Sequence, residues 1–363
     1  MKRTLFPGYT VGTDAYDDIP AICAPHGTKA VIIGGHRAMA AAADAICRAA
    51  EGSSIKIIDR QWYGGEASVE NIERLKAIQT VKDADMIFAV GGGKAIDTCK
   101  VLAQRTNRPF FTFPTIASTC ASCTSLGILY HPDGSLREYS FSKIPPEHIF
   151  INTQVIAEAP EKYLWAGIGD TMAKHYESTT SSRGMTPEHS DAMGITMSSM
   201  CAVPMTRWGV AAMEACRNNT VTDELTEVIL GIIVSTGLVS NFVQVDYTTG
   251  AAHAVYNGFT ILPEIEEHHH LHGEIVSYGI LILLLMDKRM DEFEKIYAFN
   301  KKMGLPTSLA DLDTTIDRIP MVAEKALKGI DVRVYPYPVT HEMIVSAVKE
   351  LEDYSAAHPT VSN

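Results

Sequence analysis

Short β-rich runs that alternate with helix-patterned segments leave the N-terminal part of this chain few folds to choose from. Lys29–Gly34, Ser54–Asp59, Met86–Val90 and Phe110–Phe113 read as strands. Between them lie helical patterns at about Arg37–Ala50, Glu66–Lys82 and Lys94–Arg105. Repeated βα alternation predicts a doubly wound, mainly parallel sheet, with ligands at the carboxyl ends of its strands. The turn sequence His131-Pro-Asp-Gly134, between Leu126–Tyr130 and Leu136–Phe141, predicts a β-hairpin appended to that sheet. After Pro160 the texture changes to long Ala-, Met- and Leu-containing helical patterns, with a short β-rich stretch only near Val332–Tyr337. The expected organisation is an α/β domain over residues 1–158 and an all-α domain over 159–363.

The length of 363 residues suits two domains better than one core, and 46% hydrophobic with 20% charged residues is globular composition. A net charge of −12 repels phosphate backbones and anionic membranes, which argues against nucleic acid or a membrane surface as partner. The most apolar run, Ile275–Met286, is too short for a membrane-crossing helix and reads as a core helix. No export signal is visible in MKRTLFPGYT. The seven cysteines, Cys23, Cys47, Cys99, Cys120, Cys123, Cys201 and Cys216, form no disulfide framework, and their odd number points to a reducing, cytoplasmic compartment.

Val90-Gly-Gly-Gly-Lys-Ala-Ile-Asp97 places three glycines between a strand and a helix, where backbone amides can approach a phosphate. It is neither the GxGxxG fingerprint nor a P-loop, and the same glycines would also suit a ligand-free βα turn. Pro114-Thr-Ile-Ala-Ser-Thr119 adds hydroxyls at the end of the next strand, suited to hydrogen-bonding a pyrophosphate or a nicotinamide amide, or to stabilising the turn itself.

Asp170 precedes a helical pattern, His253 lies among small residues in GAAHAVYNG, and His272 opens the apolar helix. Taken singly, Asp170 reads as a helix-start acid and each histidine as an ordinary core or surface residue. Together they make a carboxylate and two imidazoles, a donor set of borderline hardness suited to Zn²⁺ or Fe²⁺. His268, His269 and His270 compete as ligands, but their Glu-rich setting reads as a solvated loop.

The segments GGGKAIDTCK, FPTIASTCASCTSLGILY, AGIGDTMAKHYE, AAHAVYNGFTIL, HLHGEIVSYGILI and GLPTSLADL occur in the order and spacing of the iron-containing alcohol dehydrogenases, and the chain resembles their glycerol dehydrogenase branch over nearly its whole length. The resemblance implies a dehydroquinate synthase-like fold: an N-terminal α/β nucleotide-binding domain, a C-terminal helical metal-binding domain, one divalent metal, NAD(P), a small-molecule substrate and a homo-oligomer. Motif by motif, it assigns the metal to Asp170, His253 and His272, which would act catalytically through it. It assigns the cofactor to Gly91, Gly92, Gly93, Lys94 and Asp97, then to Thr115 and Ser118, with Thr124, Leu126 and Tyr130 on the nicotinamide side. Asp97, inside the helix, would serve by holding the glycine loop.

Two departures bear on specificity. Cys120 stands where glycerol dehydrogenases carry an Asp associated with the polyol, and TCASCTSLGILY is closer in motif to the hydroxycarboxylate dehydrogenases, which reduce 2-oxo acids. A neutral Cys120 in the substrate pocket removes repulsion against a substrate carboxylate, so the expected reaction is hydride transfer between NAD(P)H and a small 2-oxo acid, with glycerol oxidation as the alternative. Gly34-Gly35-His36-Arg37 lacks the acid that NAD-specific relatives present to the adenosine ribose, which favours NADP(H) or dual use. A redox role for Cys120-Ala-Ser-Cys123 lacks a thioredoxin-like setting. A phosphate-substrate enzyme of the same fold would need basic residues that are scarce near the metal motifs, and retention of the three ligands argues against a non-catalytic nucleotide-binding protein.

Overall fold

The computed structural model describes residues 5–132, 134–141 and 144–358. Two compact units emerge: residues up to Leu164 with Ala212–Asn241, and Trp165–Ala211 with the residues from Phe242 onward. The expected division was a single cut after residue 158, whereas the observed units are discontinuous, because residues 212–241 return to the first.

In the first unit the strands are β1 (Gly8–Gly12), β2 (Lys29–Gly34), β3 (Lys56–Trp62), β4 (Met86–Gly91), β5 (Phe110–Pro114), β6 (Leu126–Tyr130), β7 (Leu136–Phe141) and β8 (His148–Asn152). Six of them form one parallel sheet in the order β1-β8-β5-β4-β2-β3. Alternate residues serve opposite faces, as strand geometry requires. Ile32, Phe88 and Val90 pack with Ala42, Ala43 and Ile46 of the helix His36–Ala50 and with Phe111, Phe113 and Phe150. Val31, Ile33, Ile87 and Ala89 pack on the other face with Ile72, Leu75, Ile96, Cys99 and Leu102. Both faces are covered, which is why β2 and β4 are apolar almost throughout.

Sequence and structure differ in places. β1 and β8 went unrecognised, and β3 begins two residues later than expected and runs on to Trp62. The helix expected over Glu66–Lys82 is broken into Val69–Ala77, capped by Ser68, and Gln79–Asp83, because Ile78 is extended. The hairpin forms as expected, but β6 and β7 make their own antiparallel sheet rather than extending the main one. In Asp223–Phe242 the α-helix is interrupted by a π turn at Gly231–Ser235. That helix is long and apolar enough to cross a bilayer by length and composition, but 56% of its apolar window is buried in the protein, as in a core helix.

The second unit is helical, and no strand occurs among its described residues. The stretch Val332–Tyr337 forms turns and bends, correcting the β-rich reading. The helix His272–Met286 is buried from Gly273 to Met286, as expected of a core helix. Its neighbours approach it over small residues: a Cβ on Gly273 would lie 1.9 Å from the Ala166 carbonyl oxygen, one on Gly169 2.4 Å from that of Gly273, and one on Gly279 2.5 Å from that of Ala252. The helices Lys162–Ser181 and Ala251–Phe259 therefore meet it backbone to backbone.

Because the Ala166 carbonyl cannot retreat without moving its helix, Gly273→Ala should destabilise the protein by about 1–3 kcal/mol. Denaturant unfolding of the two proteins, read as a shift in midpoint at constant slope, checks this.

Candidate active site

The cofactor loops gather where the strand order reverses. From β2 the chain moves outward to β3, then crosses back to β4 on the other side of β2, so loops leaving β2 and β4 diverge at adjacent strand ends, the usual ligand crevice of such sheets. Register places Gly34 beside Val90 and Gly91 beside Pro114. A Cβ on Gly34 would lie 2.4 Å from the Val90 carbonyl oxygen, and Gly91 has φ +146°, so neither loop would accept a larger residue without strain. Gly92 caps the helix Gly93–Thr106 without a side-chain bond and packs against Ile116, which brings the glycine turn alongside the Thr115–Thr119 loop. The Thr115 amide donates to the Gly91 carbonyl at 3.3 Å. Gly91, Gly92, Gly93, Thr115 and Ser118 thus lie in two touching loops that could hold a pyrophosphate.

The remaining expected cofactor residues are tied to one another and to their neighbours, with Lys94 exposed and Asp97 and Thr124 buried. Lys94 Nζ pairs with Glu66 at 2.7 Å and sits 5.6 Å above the Tyr130 ring. Asp97 is buried, with one oxygen accepting from Lys100 Nζ at 2.8 Å and the other from the Ile128 amide at 3.2 Å. It thus ties the helix Gly93–Thr106 to β6, and neither of these bonds reaches the glycine turn itself. Lys100, which sequence reasoning missed, is buried and donates also to the Leu126 carbonyl and, at 3.4 Å, to Thr124 Oγ1. Its spacing of three residues from Asp97 on one helix was the available signal.

The loop carrying Cys120 packs on the π-turn helix. Asn241 Nδ2 donates to the Cys123 carbonyl at 3.0 Å, the Ser125 amide donates to Asn241 Oδ1 at 3.2 Å, and a Cβ on Gly237 would meet Cys123 Sγ at 2.4 Å. Cys120 is half-buried with its sulfur 3.9 Å from Ser240 Oγ, while burial pushes the Cys123 thiol far up. All seven cysteines are free. Beyond β2, Gly35 caps the next helix, exposed His36 stacks on Trp62 at 5.1 Å, and exposed Arg37 follows. The aromatic partner from β3 was not foreseen.

In the second unit Asp170, His253 and His272 come together, their ligand atoms all within 4.8 Å of one another. Asp170 Oδ1 lies 3.1 Å from His272 Nε2 and 3.5 Å from His253 Nε2. Ligands ~2.0–2.1 Å from a tetrahedral ion are roughly 3.3–3.4 Å apart, so these separations suit a Zn²⁺-sized cation. The helix crossings explain the convergence, since each residue directly follows a small one at a close backbone contact or precedes one: Gly169, Ala252 and Gly273. Side-chain exposure is 36% for His272 but 15% for His253 and 11% for Asp170, so the site opens on the His272 side.

Burial opposes ionisation of Asp170, but the imidazoles of His272 and His253 outweigh it and hold the carboxyl well below the usual range. Burial likewise disfavours charge on His253, yet Glu177 and Asp170 push it up to about 10. This concentrated negative potential is what a cation would neutralise in place of protons. Glu177, unnoticed in the sequence, has a fully buried side chain and bonds His253 Nδ1 at 2.7 Å. Its place seven residues after Asp170, on the same helix face, was the missed signal.

The triple-histidine run is not uniformly solvated. His270 has a largely buried side chain, bonded to Glu274 at 2.9 Å and Asp313 at 3.2 Å, while His268 is exposed and reaches Asp313 at 3.3 Å. Its burial goes with bonds to Glu274, one turn on, and to Asp313 from a segment distant in sequence.

Comparison with known proteins agrees with this architecture. The profile of the iron-containing alcohol dehydrogenases matches residues 7–153. A glycerol dehydrogenase of Thermotoga maritima is 34% identical over 309 residues, covering 82% of both chains. Hydroxycarboxylate dehydrogenase A of Escherichia coli K12 is 31% identical, covering 91% of both. The crystal structure of a probable glycerol dehydrogenase from Sinorhizobium meliloti 1021 superposes with a TM-score of 0.85 at 28% identity, covering 98% of this chain and 100% of that one. The chain belongs to the iron-containing alcohol dehydrogenase family, whose members act on CH–OH donors. Within it, these relatives place the chain in the glycerol dehydrogenase-like branch.

His272, the most exposed of the trio, is the clean position for removing a candidate ligand, because His253→Ala would also strand the buried Glu177 carboxylate. His272→Ala should bind zinc at least about a hundredfold more weakly and lose most turnover, with its thermal midpoint within a few degrees of wild type. Metal content after dialysis, turnover and melting together check this.

Proposed function

We propose that this protein is a metal-dependent NAD(P)-linked dehydrogenase of small hydroxy compounds, with Asp170, His253 and His272 as the metal ligands. The observation that carries the reading is their convergence within 4.8 Å, with Asp170 Oδ1 3.1 and 3.5 Å from the two imidazole nitrogens. A divalent ion held there supplies Lewis acidity towards the substrate oxygen, and NAD(P) supplies or takes the hydride. The chain's own residues bind and orient. The Gly91–Gly93 turn and the start of the helix Gly93–Thr106 offer amides to a pyrophosphate. Asp97 and Lys100 brace that helix against β6, and Thr124, Leu126 and Tyr130 line the nicotinamide side.

Among substrates, glycerol or a related small diol is the first reading, supported by the activities named for several relatives. A 2-oxo acid is the second, favoured by one observation: Cys120 is neutral and half-buried beside Ser240, so its loop puts no fixed negative charge near a substrate carboxylate. Turnover of glycerol, other small diols and a panel of 2-oxo acids, each with NAD(H) and NADP(H), tests both; inactivity of the zinc-loaded protein on every one of them would overturn the proposal.

Cys120→Asp distinguishes the two readings. Two unit charges about 5 Å apart at an effective dielectric of about 20 repel by roughly 3 kcal/mol, so kcat/KM for 2-oxo acids should fall by up to on the order of a hundredfold. Glycerol, being neutral, should lose far less. Steady-state kinetics on both substrates with one cofactor separate this from a general loss of folding.

NADP(H), or dual use, is the cofactor reading, supported by Gly35 and the exposed His36 and Arg37 after β2. A side chain at Gly35 meets only Tyr63, at 3.5 Å, and Asp is a favourable N-cap, so Gly35→Asp should fold well. It should lower the NADPH/NADH ratio of kcat/KM about tenfold, equivalent to about 1.4 kcal/mol of added repulsion towards the 2′-phosphate.

A further inference from the structure

Three N–H donors converge on the buried carboxylate of Glu177, and its two oxygens divide them. Oε1 accepts from the backbone amides of Gly250 at 2.9 Å and His253 at 2.8 Å, at the start of the helix Ala251–Phe259. Oε2 meets His253 Nδ1 at 2.7 Å. A carboxylate only accepts, so the proton of that bond lies on Nδ1. The other ring nitrogen, Nε2, is the atom turned towards Asp170, 3.5 Å away.

Helix capping by itself does not call for this residue. A buried charge is costly, and a neutral Asn, Ser or Gln oxygen would satisfy the backbone amides. A second acceptor oxygen is needed only for the imidazole.

We propose that Glu177 is the positioning residue of the metal site: through Oε2 it holds His253 in the tautomer whose Nε2 lone pair is free to ligate, and through Oε1 it anchors the backbone carrying that ring. The inference rests on the metal reading of Asp170, His253 and His272. Glu177 does not touch the ion. It sets which nitrogen can, and in which direction, as hydrogen-bonded partners of ligating histidines do generally.

Glu177→Gln separates capping from tautomer control. A carboxamide has one acceptor oxygen and one donor group. With its oxygen on the two backbone amides it turns an NH₂ towards Nδ1, which must then accept, and the ring proton moves to Nε2, where it blocks ligation. Wild type, Glu177→Gln and His272→Ala are compared by chelator competition for Zn²⁺, by the visible absorption of the Co²⁺-loaded protein, and by thermal unfolding after EDTA treatment. The expected result is a Glu177→Gln protein that melts near wild type without metal, binds Zn²⁺ on the order of ten- to a hundredfold more weakly, and shows an altered Co²⁺ spectrum. Wild-type affinity and spectrum in Glu177→Gln would overturn the positioning role while leaving the metal reading intact. Failure of wild type itself to bind one equivalent of Zn²⁺ overturns the metal reading. Should Glu177→Gln fold poorly, long-range ¹⁵N–¹H spectra of histidine-labelled, Zn²⁺-loaded wild type decide: a proton on His253 Nδ1 with Nε2 on the metal supports the assignment, and the opposite arrangement refutes it.

Discussion

The candidate metal site depends on helices that approach too closely for a Cβ to fit between them. Gly169 and Gly273 let the helices Lys162–Ser181 and His272–Met286 touch through backbone atoms, and Gly279 does the same against Ala252. Asp170, His253 and His272 each adjoin one of these contacts, so their spacing follows from backbone packing more than from side-chain reach. A larger residue at the crossing would change the ligand separations before it changed any ligand. The carboxylate of Glu177 then removes the remaining freedom of one ring, because three donors fix both of its oxygens.

The same economy of space governs the first unit. Apolar residues on both faces of the parallel sheet secure β2 and β4 side by side, and the reversal of strand order there leaves a crevice that only glycine turns fit. The buried pair Asp97 and Lys100 is the counterpart of Glu177. Alone, either charge would be expensive so far from water, but paired they tie the helix of the glycine turn to β6 through the Ile128 amide and the Leu126 carbonyl. In both units a buried charged group fixes a neighbouring segment that has its own polar task.

What the sequence displayed was whatever repeats locally. Short continuous apolar runs announced β2, β4 and β5, a turn tetrapeptide announced the hairpin, and a longer continuous apolar run announced the buried helix His272–Met286. The motifs brought the metal trio and the glycine turn into view through resemblance, since neither Asp170 nor two separated histidines is distinctive alone. Less visible were β1 and β8, whose strand character arises from parallel pairing between segments far apart in sequence, and the break at Ile78 that divides one helical pattern in two. The inward turn of His270 also escaped notice, because it depends on Asp313, over forty residues away.

By itself, then, the sequence determined the parallel α/β sheet with a helical second half and the glycine loop after β4, because apolar patterning and turn chemistry are local properties, whereas it pointed to the candidate ligands only through resemblance to a family. Only the tertiary structure decided that residues 212–241 rejoin the first unit, that Lys100 reaches the Leu126 carbonyl of β6, and that Glu177 meets His253 Nδ1. Those outcomes depend on which buried donors meet which acceptors across dozens of residues, and a buried charge looks the same in sequence as an exposed one until the fold removes water from it.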